Sequence, residues 1–154
     1  MTDSIRVKLA DGWRLPTKNE LASLLWDDKA AKAAYLEKFG SKNHNKYLAN
    51  WFWSSSADAG NSDGAWSVSF SSGGVYYYYK DFDGGQVRLV RGRQCLGSWR
   101  EGDAPETRYE VSECGTIVTD HKTGLEWQRE PEVGKFTWQQ AIYLFADGKP
   151  GEPV

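Results

Sequence analysis

The stretch Gly12-Trp13-Arg14-Leu15-Pro16-Thr17-Lys18-Asn19-Glu20-Leu21 decides how the chain is read. Thr17 and Glu20 have capping-box spacing, in which hydroxyl and carboxylate each satisfy the other residue's backbone N–H. Leu21, Leu24 and Leu25 then follow on one helical face. A helix is expected from about Lys18 to Trp26. Just beyond it, Asp27 to Phe39 is rich in Ala and Lys with Gly40 at its end, which reads as a second helix with a charged outer face. The acidic pair Asp27-Asp28 sits where a helix N-terminus favours negative charge, so its plain role is structural. Gly40 to Asn50, which carries His44, reads as loop.

From Trp51 the period changes from helical to alternating. Trp53, and then Trp66-Ser67-Val68-Ser69-Phe70, place rings and aliphatic groups on one side and Ser on the other, as a half-buried strand does. Gly73-Gly74 makes a turn, Val75 to Lys80 a second extended run, and Asp81 to Gly85 another turn. Val87 to Arg91 is read as a third strand, apolar and basic by turns, in an antiparallel meander. Trp99 to Thr107 is charged, holds Pro105 and reads as a linker. Beyond it come strands at Thr116 to Asp120 and around Leu125-Glu126-Trp127. A last helix follows, with Thr137 and Gln140 again at capping-box spacing and stopped by Gly148 and Pro150.

The length of 154 residues is that of one ordinary domain, and 19 Lys+Arg against 21 Asp+Glu gives a net charge of −2. A near-neutral chain without a basic block carries no electrostatic footprint for nucleic acid. Its apolar stretches are too broken to span a membrane. No charged start followed by an apolar run precedes the first motif, so no secretory signal is expected in it. Cys95 and Cys114 are too few for a disulfide framework or a four-ligand zinc site and read as buried or free thiols, with one bridge the lesser alternative. The composition departs most from average in its rings, with 8 Trp, 8 Tyr and 6 Phe beside 16 Gly.

Three segments together, Gly12 to Leu21, Phe52-Trp53-Ser54-Ser55-Ser56, and Ala65 to Phe70 through Val87-Arg88-Leu89-Val90-Arg91-Gly92, resemble a bacterial domain-of-unknown-function family. That family is typified by the C-terminal domain of the collagen-like adhesin Lcl. The resemblance implies an α+β, C-type-lectin-like fold of short antiparallel strands with two or three helices. It covers residues 10–94. The tail, residues 115–145, is similar to the family's opening strands and first helix, but it stands after the Gly-Trp-Arg-Leu-Pro-Thr motif instead of before it. Such a rotated order fits a circular permutant joined through residues 99–107, a homo-oligomer completed by tail exchange, or a fragment cut across a tandem array. Each would cover the otherwise open edge of the sheet. Residues 1–154 are accordingly expected to form a single domain, with Trp13, Trp53, Trp66, Val68, Phe70, Leu89 and Trp127 as core or scaffold.

The segment Val75-Tyr76-Tyr77-Tyr78-Tyr79-Lys80-Asp81-Phe82-Asp83 is similar to the stretch that is hypervariable in family members belonging to diversity-generating retroelements. Successive strand side chains face opposite ways, so four consecutive Tyr cannot share one core. Exposed Tyr supplies large contact area with few rotors, as in antibody loops. The expected function is therefore recognition of an external glycan or protein by Tyr76, Tyr77, Tyr78, Tyr79, Lys80, Asp81, Phe82 and Asp83, flanked by Trp51, Asn61 and Asp63. The plain alternative is that Tyr is simply a good strand residue, or that the rings pack on a neighbouring chain in an assembly.

Catalysis has little support. Ser54, Ser55 and Ser56 lack a recognisable base in His44 or His121, and no cofactor or metal is assigned. Asp58, Asn61 and Asp63 offer calcium-compatible oxygens without a calcium-binding spacing. Arg14-Leu15-Pro16-Thr17 and Arg91 to Trp99 are a partial echo of formylglycine-generating enzymes, which share the broad fold, but the chain lacks a close cysteine pair. The adhesin resemblance implies a cell-surface or extracellular setting.

Overall fold

Thr17 opens the helix that the sequence marks most clearly. Its Oγ1 accepts the Glu20 N–H at 3.2 Å while Glu20 Oε1 accepts the Thr17 N–H at 2.9 Å, closing the capping box. A computed structural model of the chain describes residues 3–39, 51–57, 60, 63–70 and 72–145. The helices are α1 (Asp3–Ala10), α2 (Lys18–Ala22), α3 (Lys29–Phe39) and α4 (Trp138–Phe145), with a 3₁₀ turn at Pro105–Thr107. The strands are β1 (Trp51–Ala57), β2 (Gly64–Ser69), β3 (Gly74–Tyr79), β4 (Val90–Arg91), β5 (Tyr109–Val111), β6 (Ile117–Asp120) and β7 (Glu126–Gln128). They form two antiparallel sheets, β1-β2-β3 and β4-β7-β6-β5.

Strand alternation divides the core in two. From one face of the first sheet Trp51, Trp53 and Ala65 pack with Trp13, Leu15, Val87 and Leu89 and with Trp138, Ala141, Ile142 and Phe145 of α4. From the other face Phe52 and Val68, joined by Phe70, meet Leu21, Leu24, Tyr35 and Phe39 together with Tyr109, Val118, Leu125 and Trp127. Each cluster thus mixes residues from both sides of the 99–107 segment. Hydrogen bonding does the same: Trp53 Nε1 donates to Phe136 O at 2.8 Å, Trp138 Nε1 donates to Ser54 O at 2.9 Å, and Leu15 N donates to Phe145 O at 3.0 Å. A buried indole usually takes such a partner, so these bonds fix as well as cover the rings; Trp127 Nε1, also buried, has none among the described residues.

The family-like motif at 12–21 has a mechanical meaning. Arg14 grips Glu20 with two bonds of 2.7 Å and donates to Gly92 O at 2.9 Å. Glu20 therefore serves two masters, capping α2 and neutralising Arg14. Burial pushes the Glu20 carboxyl up, but its bonds from Arg14 and Thr17 more than offset this and hold it below the ordinary value. At the next helix Asp28 Oδ1 accepts the Ala31 N–H at 2.8 Å, which gives the acidic pair its N-terminal role.

Several expectations change. The helix expected to reach Trp26 ends at Ala22, and α1 and β5 join the elements read from sequence, giving four α-helices among the described residues where two or three were expected. The run Val87 to Arg91 is not the meander's next strand. Only Val90–Arg91 is a strand, it lies in the other sheet, and Gln86 instead bridges Phe52 in parallel. Its basic residues do not all face out: Arg88 is 4% exposed, with its guanidinium 4.9 Å from the Phe39 ring and 5.2 Å from that of Phe52. Carbonyls of Gln128 and Arg129 accept from its Nη1 at 2.7 and 2.5 Å, which is why a cation can remain there. Trp66, expected as core or scaffold, is half-buried under Lys18, whose Nζ lies 4.5 Å from the ring. Cys95 and Cys114 are free thiols, in line with the sequence reading, and both are exposed. Cys95 sits by Thr123 beyond one end of β6 and Cys114 before the other, and β6 alone spans roughly 10 Å, too far for a bridge. The expected loop at 40–50, with His44, and the stop at Gly148 and Pro150 lie outside the described residues.

Candidate recognition face

Register settles which tyrosine does what. Ala65 pairs with Tyr78 and Ser67 with Tyr76, so these two rings share a face with Trp51 and Trp53, while Val75, Tyr77 and Tyr79 share the other with Trp66. Tyr78 is the scaffold member. Its ring stacks on Trp51 at 4.4 Å and on Phe82 at 5.6 Å, and Phe82 also stacks on Trp51 at 5.7 Å. Trp51, expected as a flank of the face, is buried beneath it as the foundation of this three-ring stack. Gly85 allows the approach, because a Cβ there would collide with the rings of both Trp51 and Trp53.

The other rings are open. Tyr79 is 65% exposed, Tyr77 52% and Tyr76 44%. Tyr77 meets Trp66 edge-on at 6.0 Å, and the Tyr76 hydroxyl bonds Ser72 Oγ at 3.2 Å. At the end of β3 the chain forms a hollow of about 420 Å³ lined by Asp63, Tyr79, Lys80, Asp81 and Gln139. Four of the expected site residues thus come together. Lys80 is pinned on both sides, its N–H donating to Asp63 O at 2.8 Å and its carbonyl accepting Trp138 N–H at 2.9 Å, with Nζ 4.8 Å over the Trp138 ring. Asp83 is exposed outside the lining, and Asn61 lies outside the described residues.

Gln139 is the residue sequence reasoning missed. It follows Trp138 on α4, and the only signal for it is the capping box that places the first turn of that helix. The hollow therefore draws one wall from a segment 58 residues beyond Asp81 in the chain.

The residues considered for chemistry are otherwise engaged. Ser54 is fully buried and donates to Trp66 O at 2.7 Å, and His121 Nε2 lies 2.8 Å from Glu110 Oε1. Among the described residues no group of three or more His, Cys, Asp and Glu is placed to hold a metal ion. Two members of the calcium-compatible set, Asp58 and Asn61, lie outside those residues. No helix among them is long and apolar enough to cross a membrane.

The model of the Lcl C-terminal domain family matches residues 3–91, more than half of the chain, and the chain belongs to that family. Its α+β architecture, with antiparallel sheets, agrees with a C-type-lectin-like domain. This is an adhesin-type domain and not a known enzyme family. No curated protein and no solved structure matches the chain. The match ends at Arg91, so Gln139 and the rest of the tail stand outside it.

Proposed function

We propose that the domain is a recognition module that binds a glycan displayed outside the cell, in the hollow at the end of β3. One observation carries this reading: an exposed Tyr79 ring stands beside two carboxylates, an ammonium and an amide, Asp63, Asp81, Lys80 and Gln139, in one concavity. A ring face packs against the C–H face of a sugar, and rim carboxylates and amides bond hydroxyls that keep partial contact with water. The Tyr78–Phe82–Trp51 stack supports the reading by fixing the strand end, so little order has to be gained on binding. The tyrosine run would then be the variable part and the stack its constant base. A surface or extracellular setting follows from the adhesin kinship.

The tail belongs to the same reading. Residues 115–145 act as the opening of a single domain in rotated order, supported by β7 lying between β4 and β6 and by α4 closing the core within one chain.

A glycan array with wild type, Tyr79→Ala, Asp81→Asn and Gln139→Ala tests the function. Binding by wild type that falls at least tenfold in each variant supports it. Retained binding in all three, with folding intact, refutes the hollow as the site.

A second reading, assembly through the same strand, has its own observation. Ladder alternation turns the N–H and C=O of Val75 and Tyr77 away from β2, and neither residue's backbone finds a partner there among the described residues. Concentration-dependent dimerisation abolished by Tyr77→Pro, with glycan arrays blank, would favour this second reading.

A further inference from the structure

A second concavity, of about 540 Å³, opens between the α2–α3 junction and the segment running from Trp99 to Tyr109. It shares no residue with the hollow at the end of β3. More than half of its wall lies beyond Arg91 and so outside the family match. Its volume is in the range of small-ligand pockets.

Two half-buried indoles, Trp26 and Trp99, line it together with the carboxylates of Asp27, Asp28, Glu101 and Asp103. Two cations also line it, but both are spent. Arg108 is locked on the buried Asp120 by two bonds of 2.9 Å and donates to Ser23 O, and Lys122 Nζ lies 2.5 Å from Glu101 Oε1. That leaves the charges of Asp27, Asp28 and Asp103 without an opposing side chain among the lining residues. Asp28 Oδ1 caps α3, and Asp103 Oδ2 accepts the Arg100 N–H at 2.8 Å, which positions each carboxylate without cancelling its charge.

The rings here already draw cations. Lys32 Nζ lies 5.6 Å from the Trp26 centroid, and Lys122 Nζ and Arg108 lie 5.8 and 5.9 Å from that of Trp99. These contacts are close to the outer limit of about 6 Å for such an attraction. A cation seated closer to either ring would gain more of this attraction.

We propose that this cleft binds an organic cation of the alkylammonium or alkylguanidinium type, seated against Trp26 and Trp99, with Asp27 and Asp103 supplying the counter-charge. The alkyl part gains from leaving water at the indoles, and the charged head gains from carboxylates at a concave, partly desolvated mouth. A neutral isostere keeps only the first of these gains. An anion is repelled.

Titration of tryptophan fluorescence in low salt with butylguanidinium, with acetyl-Gly-Arg-Gly-amide and with neutral butylurea tests the assignment. The expected result is saturable binding of at least one of the two cations at millimolar concentration, at least tenfold weaker binding of butylurea, and loss of affinity on raising salt. Equal binding of both cations identifies a free cation as the ligand, whereas at least tenfold tighter binding of the peptide identifies an arginine side chain of a protein. Asp27→Asn combined with Asp103→Asn should weaken binding at least tenfold, with an unchanged unfolding midpoint because both side chains are exposed. Tyr79→Ala, in the other hollow, should leave it unchanged. Absence of saturation with both cations, equal binding of butylurea, or undiminished affinity in the double variant overturns the proposal. Should the double variant fail to fold, the comparison of butylguanidinium with butylurea on wild type still decides.

Discussion

Tyr78→Ala and Tyr79→Ala, one residue apart in a run of identical rings, should differ sharply in their effect on stability. Tyr78 is half-buried and touches three rings, Trp51 at 4.4 Å, Phe82 at 5.6 Å and Trp53 at 6.5 Å. Complete truncation of a fully buried large ring costs about 3–5 kcal/mol, and each aromatic pair adds about 0.5–1.5 kcal/mol beyond its area. For a half-buried ring with two stacked partners the low end of both ranges comes to about 2.5 kcal/mol. In a domain of this size that lowers Tm by about 5–10 °C. Tyr79 is 65% exposed, and its truncation should stay within about 0.5 kcal/mol. Urea denaturation followed by tryptophan fluorescence measures both. A Tyr78/Phe82 double-mutant cycle should add a coupling of about 0.5–1.5 kcal/mol. Equal costs for the two single variants, or no coupling in the cycle, would refute the division of the run into a scaffold ring and open rings.

Glu20→Gln should destabilise the protein by about 2–3 kcal/mol, since it removes the carboxylate charge that faces the Arg14 guanidinium in a largely buried site. The folded-state pKa of Glu20 lies below its unfolded value, so its contribution is fully present above about pH 5 and is lost as pH falls through the folded pKa. Chemical denaturation at a series of pH values should show that acid loss in wild type and a flatter profile in Glu20→Gln. Deleting everything after Thr107 should abolish cooperative unfolding, because β7, α4 and four buried residues of each core cluster go with it; a single sharp transition in the truncated chain would contradict the packing. Cys114 should alkylate faster than Cys95 near neutrality. Bonds with Ser112 and Thr116 bring the Cys114 thiol down to about 7, and Thr116→Val should move the midpoint of its pH–rate profile upward.

What could be read in the sequence was whatever is decided within a few residues. Thr17 with Glu20 and Thr137 with Gln140 are local capping devices, and both close as spaced. The alternation of β1 to β3 needs only period 2, so the division of the four tyrosines between two faces was legible while the face that is covered was not. Covering depends on Trp51 and Gly85, which come together only in the folded chain. Arg88 shows a related limit: alternation with apolar neighbours carries no sign that a basic residue is buried, yet carbonyls of Gln128 and Arg129, some forty residues on, make the interior tolerable. The apolar residues of α1, Ile5, Val7 and Leu9, alternate in sequence as in a strand and so do not announce a helix, and its described side-chain tie runs from Lys8 to Glu132, 124 residues away, at 2.7 Å. Gln139 escaped notice because its role depends on where a distant helix docks.

The position of β7 inside its sheet, flanked by β4 on one side and β6 on the other, bears on how the chain is made. During synthesis the ribosome releases β4 well before Glu126, and until then Val90 can bond Arg14 but lacks its β7 partner, and the Leu89 carbonyl lacks the N–H of Gln128. The nascent chain must hold a half-built core in solution through the production of nearly forty further residues, then close it by contacts of high sequence separation. Closure of that kind is slow compared with local helix formation, and it leaves a window in which the β7 of one nascent molecule can insert beside the β4 of another. Expression temperature and chaperone supply would therefore be expected to govern the yield of monomer more strongly than the stability of the finished domain does.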